Sequence, residues 1–201
     1  MSALKRDLWS FTLLNVTAAT FNLVTDDELG WLLILVHVPS QPSKHRVAVW
    51  RELRRTGAVP LSPGTWLVPA HPAFDAGLAK ARSLVAKSEG KWTLIDASPR
   101  DGADTFRAAF ETARAEEWAE FMADCAKFEQ EIAKEISRKK FTFAELEEEE
   151  QSLERLRRWY RGLKSRDVLR LPQASEASER LARCVTALEE YSSLVYDATL
   201  P

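Results

Sequence analysis

Near residue 100 the hydrophobic period of this sequence changes, and that change limits the possible folds more than any other feature. Before it, apolar residues fall in short runs bounded by proline, glycine and serine. After it, they recur at steps of mostly three and four, the spacing of one helix face. A chain built this way is α+β, with its strands confined to one segment and its long helices to another.

Residues 31–38 (WLLILVHV) form a continuous apolar run that ends at Pro39, as a strand covered on both faces would. Ser43 is positioned to cap a helix running to Thr56, and Gly57 is its C-terminal stop. On that helix Val49, Trp50 and Leu53 share one face, while Lys44, Arg51 and Arg55 point away with Arg54 alongside. The segments AVPL and TWLVP flank Ser62-Pro63-Gly64, whose proline and glycine suit the centre of a type II turn. Pro60 lies inside the first of these strands, which places that strand at a sheet edge. A second helix is expected from Pro72 to Ser88, buried through Phe74, Leu78, Ala81 and Val85, with Gly90 ending it before the strand KWTLID. The order β-α-β-β-α-β over residues 31–97 is the split, ferredoxin-like arrangement. Its helices cover one sheet face, so the other face needs the N-terminal arm, the C-terminal helices or a second subunit.

Beyond residue 100, Phe106, Phe110, Ala113, Trp118, Phe121, Cys125, Phe128, Ile132 and Ile136 form one apolar stripe. Thr142 and Glu145 have the spacing of a capping box, and Phe141 and Leu146 that of a hydrophobic staple. The second helix buries Leu146, Leu153, Leu156, Tyr160 and Leu163; the third, after Pro172, buries Ala177, Leu181, Cys184, Leu188, Tyr191 and Val195. The expected fold is therefore a ferredoxin-like domain at 31–100, then an antiparallel three-helix bundle or coiled-coil hairpin at 101–201. Residues 1–30 form an N-terminal arm. Its run at 8–24 has no charge, but Ser10, Thr12, Asn15, Thr17, Thr20 and Asn22 interrupt it, so no membrane span is expected. Asp7, beside Lys5 and Arg6, is misplaced for an export signal. With only two cysteines and no CxxC, a reducing cytoplasm is the expected location.

Charge divides along the same boundary. The whole chain of 201 residues carries a net −2, but residues 31–100 hold ten basic and four acidic groups, or +6. Residues 101–201 hold sixteen and twenty-two, or −6. No dinucleotide, phosphate-loop, nucleophile-elbow or zinc-ligand motif occurs, and the three histidines, His37, His45 and His71, lie far apart in sequence. No catalytic residue, metal site or cofactor is expected, and the chain is read as a non-enzyme. The chemistry that stands out is the basic helix. Lys44, His45, Arg46, Arg51, Arg54 and Arg55, offset only by Glu52, are the candidate nucleic-acid-binding residues. The alternative is an exposed face that pairs with the acidic C-terminal helices. Arg46 falls among Val49, Trp50 and Leu53, so its guanidinium must emerge at the sheet edge or meet a buried acceptor such as Asp96.

The stretch WLLILVHVPSQPSKHRVAVWRELRRTGAVPLSPGTWLVP carries a further signal. With its Pro39-Ser40-x-Pro42 turn, its helix of Arg46-Val47-x-Val49-Trp50-Arg51-x-Leu53 and its Gly57-Ala58, it resembles the N-terminal domain family of the chromate resistance protein ChrB. The likeness extends more weakly through FRAAF, FTFAEL and RLRRWYRGLKSRDVL, to about residue 197. The resemblance implies a regulator of chromate resistance acting in transcriptional control. It also implies DNA as a partner, a C-terminal chromate-resistance domain supplied here by another chain, and a homodimer. The βαββαβ part also looks like the central domain of PaaX-type repressors and the small CRISPR-associated endonuclease. The latter carries an aspartate at the end of its first strand, where this chain has Val38-Pro39-Ser40, so metal-dependent nuclease chemistry is not implied. A protein–protein interaction module built on the helices is the rival reading.

Overall fold

The computed structural model describes residues 29–100 and 104–199. Most of the expected N-terminal arm, and the uncharged run within it, therefore lies outside the described residues. The described chain is α+β, with five α-helices and one four-stranded antiparallel sheet. Strand β1 (Trp31–His37) leads to helix α1 (Ser43–Thr56), then to strands β2 (Val59–Ser62) and β3 (Thr65–Pro69). A single 3-10 turn at Pro72–Phe74 precedes α2 (Asp75–Lys87), and β4 (Lys91–Ala97) closes the sheet. Three long helices follow: α3 (Thr105–Ser137), α4 (Phe143–Arg166) and α5 (Gln173–Thr199).

The sheet order is β2-β3-β1-β4, and every neighbouring pair is antiparallel. Strand β2 is thus an edge, the place that tolerates Pro60, and the apolar β1 lies inside the sheet. The β2–β3 turn needs Gly64 for two reasons. Its φ is +77°, and an added Cβ would stand 2.7 Å from the Val36 carbonyl oxygen. At that close approach the Val36 N–H donates to the Gly64 carbonyl at 2.7 Å, which fastens the hairpin tip to β1.

Side chains alternate across the sheet. Ile34 faces the helices with its register partner Trp66 and packs with Val49 and Leu53 of α1 and with Leu78, Ala81 and Val85 of α2 in one core. The opposite face begins with Trp31, whose ring meets Phe106 and Phe110 of α3 edge-on, with centroids 6.3 and 5.9 Å apart. The start of α3 and the segment Val168–Leu171 therefore cover part of that second face. Leu35 and Ile95 on the same face stay exposed.

A second core joins α3, α4 and α5 through Trp118, Phe121, Phe128, Leu153, Leu156, Leu188 and Tyr191. Helix α4 returns antiparallel to α3: Arg166 meets Glu117 at one end, and Lys140, just past α3, meets Glu145 at the other. The Tyr191 hydroxyl donates to the Lys140 carbonyl at 2.6 Å and ties α5 to the α3–α4 turn. Thr142 caps α4 as its spacing predicts, accepting from the Glu145 N–H at 3.3 Å. Glu145 does not complete the box, because its carboxylate pairs with Lys140 at 2.6 Å instead. Ser43 does not cap α1. It is the first helical residue and Pro42 holds the cap position, so that helix starts without a side-chain acceptor. Glu89, at φ +54°, takes the left-handed turn after α2 that Gly90 was expected to supply.

One buried carboxylate in the helical core opposes folding. Glu149 is buried on α4, and burial followed by the carboxylates of Glu131, Glu148, Glu135 and Glu145 raises its pKa above the ordinary glutamate value. The folded state therefore binds this proton more tightly than the unfolded chain does. Stability falls as pH rises from the unfolded pKa through the raised folded one, and the penalty is complete above both. Glu149→Gln is expected to raise the thermal midpoint at about pH 7, and the gain should vanish near pH 4. An equal gain at both pH values would show that charge is not the cause.

Candidate functional site

Helix α1 carries every candidate binding residue, but its geometry divides them. At about 100° per residue, Lys44, Arg51 and Arg55 form one outward stripe, with Arg54 on its flank. All four are exposed. Arg46 lies on the other side of Arg54, over the sheet. His45 points toward the end of α2, where it lines a cavity of about 250 Å³ with Lys87 and Glu89.

The charges on this helix are largely uncompensated. Among the described residues Lys44, Arg46, Arg51 and Arg54 have no ion pair or side-chain hydrogen bond. Arg55 is the exception. It pairs with Glu52 of its own helix, and Lys80 of α2 meets the same carboxylate at 3.0 Å. Glu52 is buried, which would push its pKa up; the hydrogen bonds from Arg55 and Lys80 outweigh that and hold it below the ordinary value. None of the paired residues comes from the acidic helices, so the alternative, neutralisation of α1 by α3–α5, is not observed among the described residues.

What α3 and α4 bring to α1 is a positively charged clamp. Gly57 ends the helix at φ +97°, its N–H donating to the Leu53 and Arg54 carbonyls. An added Cβ there would lie 2.8 Å from both Arg114 Nη1 and Arg166 Cδ, so only glycine allows the approach. The Arg166 guanidinium donates to the Arg55 carbonyl at 3.4 Å and to Glu117 at 3.0 Å. Glu117 also accepts from Arg114 at 3.1 Å, and so bridges two arginines. Arg114 is only 2% exposed, its guanidinium stacks 4.9 Å above the Phe110 ring, and its Nε has no partner. Burial lowers its pKa to about 10, with Glu117 opposing that and Arg166 and Arg54 adding to it. At neutral pH it stays charged. Asp167 is buried nearby and accepts from the Leu171 N–H at 3.2 Å.

One expectation for this helix is corrected, and one of two alternatives is removed. Trp50 does not join Val49 and Leu53 in the core, because it stands at the helix edge and is 53% exposed. Arg46 does not reach Asp96: Asp96 pairs with Leu32 in the sheet register, whereas Arg46 lines a groove beside Val36 and Val38 at the other end of β1. The buried arginine Arg114 was missed, although it sits four residues from both Phe110 and Trp118 on the apolar stripe. The two cysteines are buried and meet between α3 and α5, where the Cys184 thiol donates to the Cys125 carbonyl at 3.5 Å. Among the described residues no cluster of His, Cys, Asp and Glu could hold a metal ion, and no helix is long and apolar enough to cross a membrane.

Known proteins share sequence with this chain. Protein ChrB of Cupriavidus metallidurans is 33% identical over 104 residues, a stretch covering 51% of this chain and 32% of that protein. The chain thus matches about a third of the relative's length. The family described as "Protein ChrB, N-terminal" matches residues 46–201, from Arg46 on α1 through all three long helices. This chain belongs to the ChrB N-terminal family.

Proposed function

We propose that this chain is a non-catalytic regulatory module connected with chromate resistance, and that it binds nucleic acid through α1. The observation that carries the reading is the state of the basic residues. Lys44, Arg51 and Arg54 are exposed and uncompensated among the described residues, while acidic side chains are plentiful elsewhere. An unpaired cationic stripe on a rigid helix suits phosphate contacts, which release counterions. The strand order and the two cores support a ferredoxin-like unit at about 31–100 followed by a three-helix bundle at about 101–201. Transcriptional control, a cytoplasmic location and dimerisation through the exposed Leu35–Ile95 face belong to the same proposal. So does partnership with a chromate-resistance domain.

The test is fluorescence anisotropy with duplex promoter DNA at two salt concentrations, comparing the wild type with a Lys44→Ala, Arg51→Ala, Arg54→Ala variant. The variant should bind more weakly on every sequence, and its slope of log affinity against log salt should be shallower by roughly 2–3. Its thermal midpoint should be unchanged, because the three side chains are exposed. No binding by the wild type at low salt would remove the reading. A second reading has its own support. Phe143 and Tyr196 pack edge-on at 5.3 Å at the far end of the helices, and both are exposed. An exposed aromatic pair is a feature of protein-docking surfaces, so the helices would then serve as an interaction module.

A further inference from the structure

Beside the outward stripe, α1 forms one wall of a groove of about 720 Å³. Trp66 and Leu53 make its apolar floor, and the Pro63–Gly64 turn and the Val38–Ser40 segment close its far side. Trp50 and Arg46 stand at its mouth. We propose that this groove takes a single unstacked nucleobase, stacked on Trp50, with the flanking phosphates held by Arg46 and Arg54. The inference rests on the nucleic-acid reading above and narrows it to a strand with at least one base out of a duplex.

Three observations support it. The first is spacing. Arg46, Trp50 and Arg54 are four residues apart, so they form a cation–aromatic–cation line about 12 Å long on one helix face. A positive track interrupted by an aromatic platform is the arrangement that holds single-stranded nucleic acid. The second is charge. Both arginines lack partners among the described residues, and none of the side chains lining the groove is acidic. An anionic ligand meets no repulsion there and needs no ion pair broken. The third is shape. Trp50 is half in solvent while Trp66, which lines the same groove, is nearly buried, so the site is a concave, largely apolar slot. A base locked in a stacked pair cannot enter such a slot, whereas a base with a free face can. The convex stripe of Lys44 and Arg51 offers no such slot and can only follow a backbone.

The experiment titrates the full chain against a short labelled oligothymidylate and a duplex of equal length, using wild type, Trp50→Ala, Trp50→Phe and Arg46→Ala. Trp50→Ala should weaken single-strand binding about tenfold and duplex binding less than twofold. Trp50→Phe should retain most of the affinity, because the ring remains. Arg46→Ala should weaken single-strand binding in a salt-dependent way. Equal loss on both ligands, or no loss on either while the wild type still binds duplex, would overturn the slot and leave the basic-helix reading standing. Failure of the wild type to bind any nucleic acid would remove both. If Trp50→Ala instead dissociates a dimer in sedimentation and leaves single-strand affinity intact, the groove belongs to a second copy of the chain and the inference falls.

Discussion

Replacing Glu117 by alanine is expected to lower folding stability by about 3–5 kcal/mol. Among the described residues Glu117 is the carboxylate ion-paired with Arg114, which is 2% exposed, and it also holds Arg166 against the end of α1. Removing it leaves a guanidinium in a dry site whose Nε already lacks an acceptor. A whole domain of ordinary stability has only about 5–15 kcal/mol in hand, so the shift should be plain in a urea titration at neutral pH. The same physics specifies a control. Combining Glu117→Ala with Arg114→Met removes the stranded charge, and most of the loss should be recovered, since a buried ion pair is seldom better than well-packed apolar groups. A double variant as unstable as the single one would mean that the site depends on shape rather than on charge.

Phe110→Ala should cost a similar amount, about 3–5 kcal/mol. The ring is fully buried and touches Trp31 of β1 and Phe74 before α2, with centroids 5.9 and 6.1 Å away. It also supports the Arg114 guanidinium from below. Because Phe110 and Glu117 both act on Arg114, the two substitutions should be non-additive when combined. Far-ultraviolet and aromatic circular dichroism should report one shared transition for Phe110→Ala. Two separated transitions, with the long helices melting after the sheet, would show that α3 does not bind the two cores into one cooperative unit.

Much of this architecture is legible in local pattern. Pro63-Gly64 marks a turn because only glycine suits its second central position, and the structure places Gly64 at φ +77°. Thr142 marks a helix start because its hydroxyl can satisfy an orphan N–H, and it does so. The apolar stripes of α3, α4 and α5 follow directly from steps of three and four. Less legible are features fixed by tertiary approach. Arg114 occupies a stripe position, yet its charge suggests solvent; only the arrival of Arg166 on one side of Glu117, 49 residues along the chain, makes its burial tolerable. Glu52 is buried because Lys80 of α2 comes within 3.0 Å, a contact that no spacing along α1 announces. Trp50 shares a helical quadrant with Val49 and Leu53, but the sheet ends beneath it, so the same periodicity that buries its neighbours leaves it at the mouth of a groove. The basic character of α1 was plain from composition. That its charges remain unpaired among the described residues depended on where the acidic helices came to lie.

Helix α3 has 33 residues, a rod about 50 Å long. Its first turns are gripped by the sheet through Phe106 and Phe110, and the remainder by α4 and α5. A rod held in this way threads both cores on one backbone. Its far tip lies against the turn where Tyr191 grips Lys140, next to Phe143 and Tyr196. Near its sheet end the rod meets the end of the basic helix at Gly57 through Arg114, which Glu117 holds in place. One continuous helix thus runs from the clamp at the end of α1 to the turn beside the exposed aromatic pair.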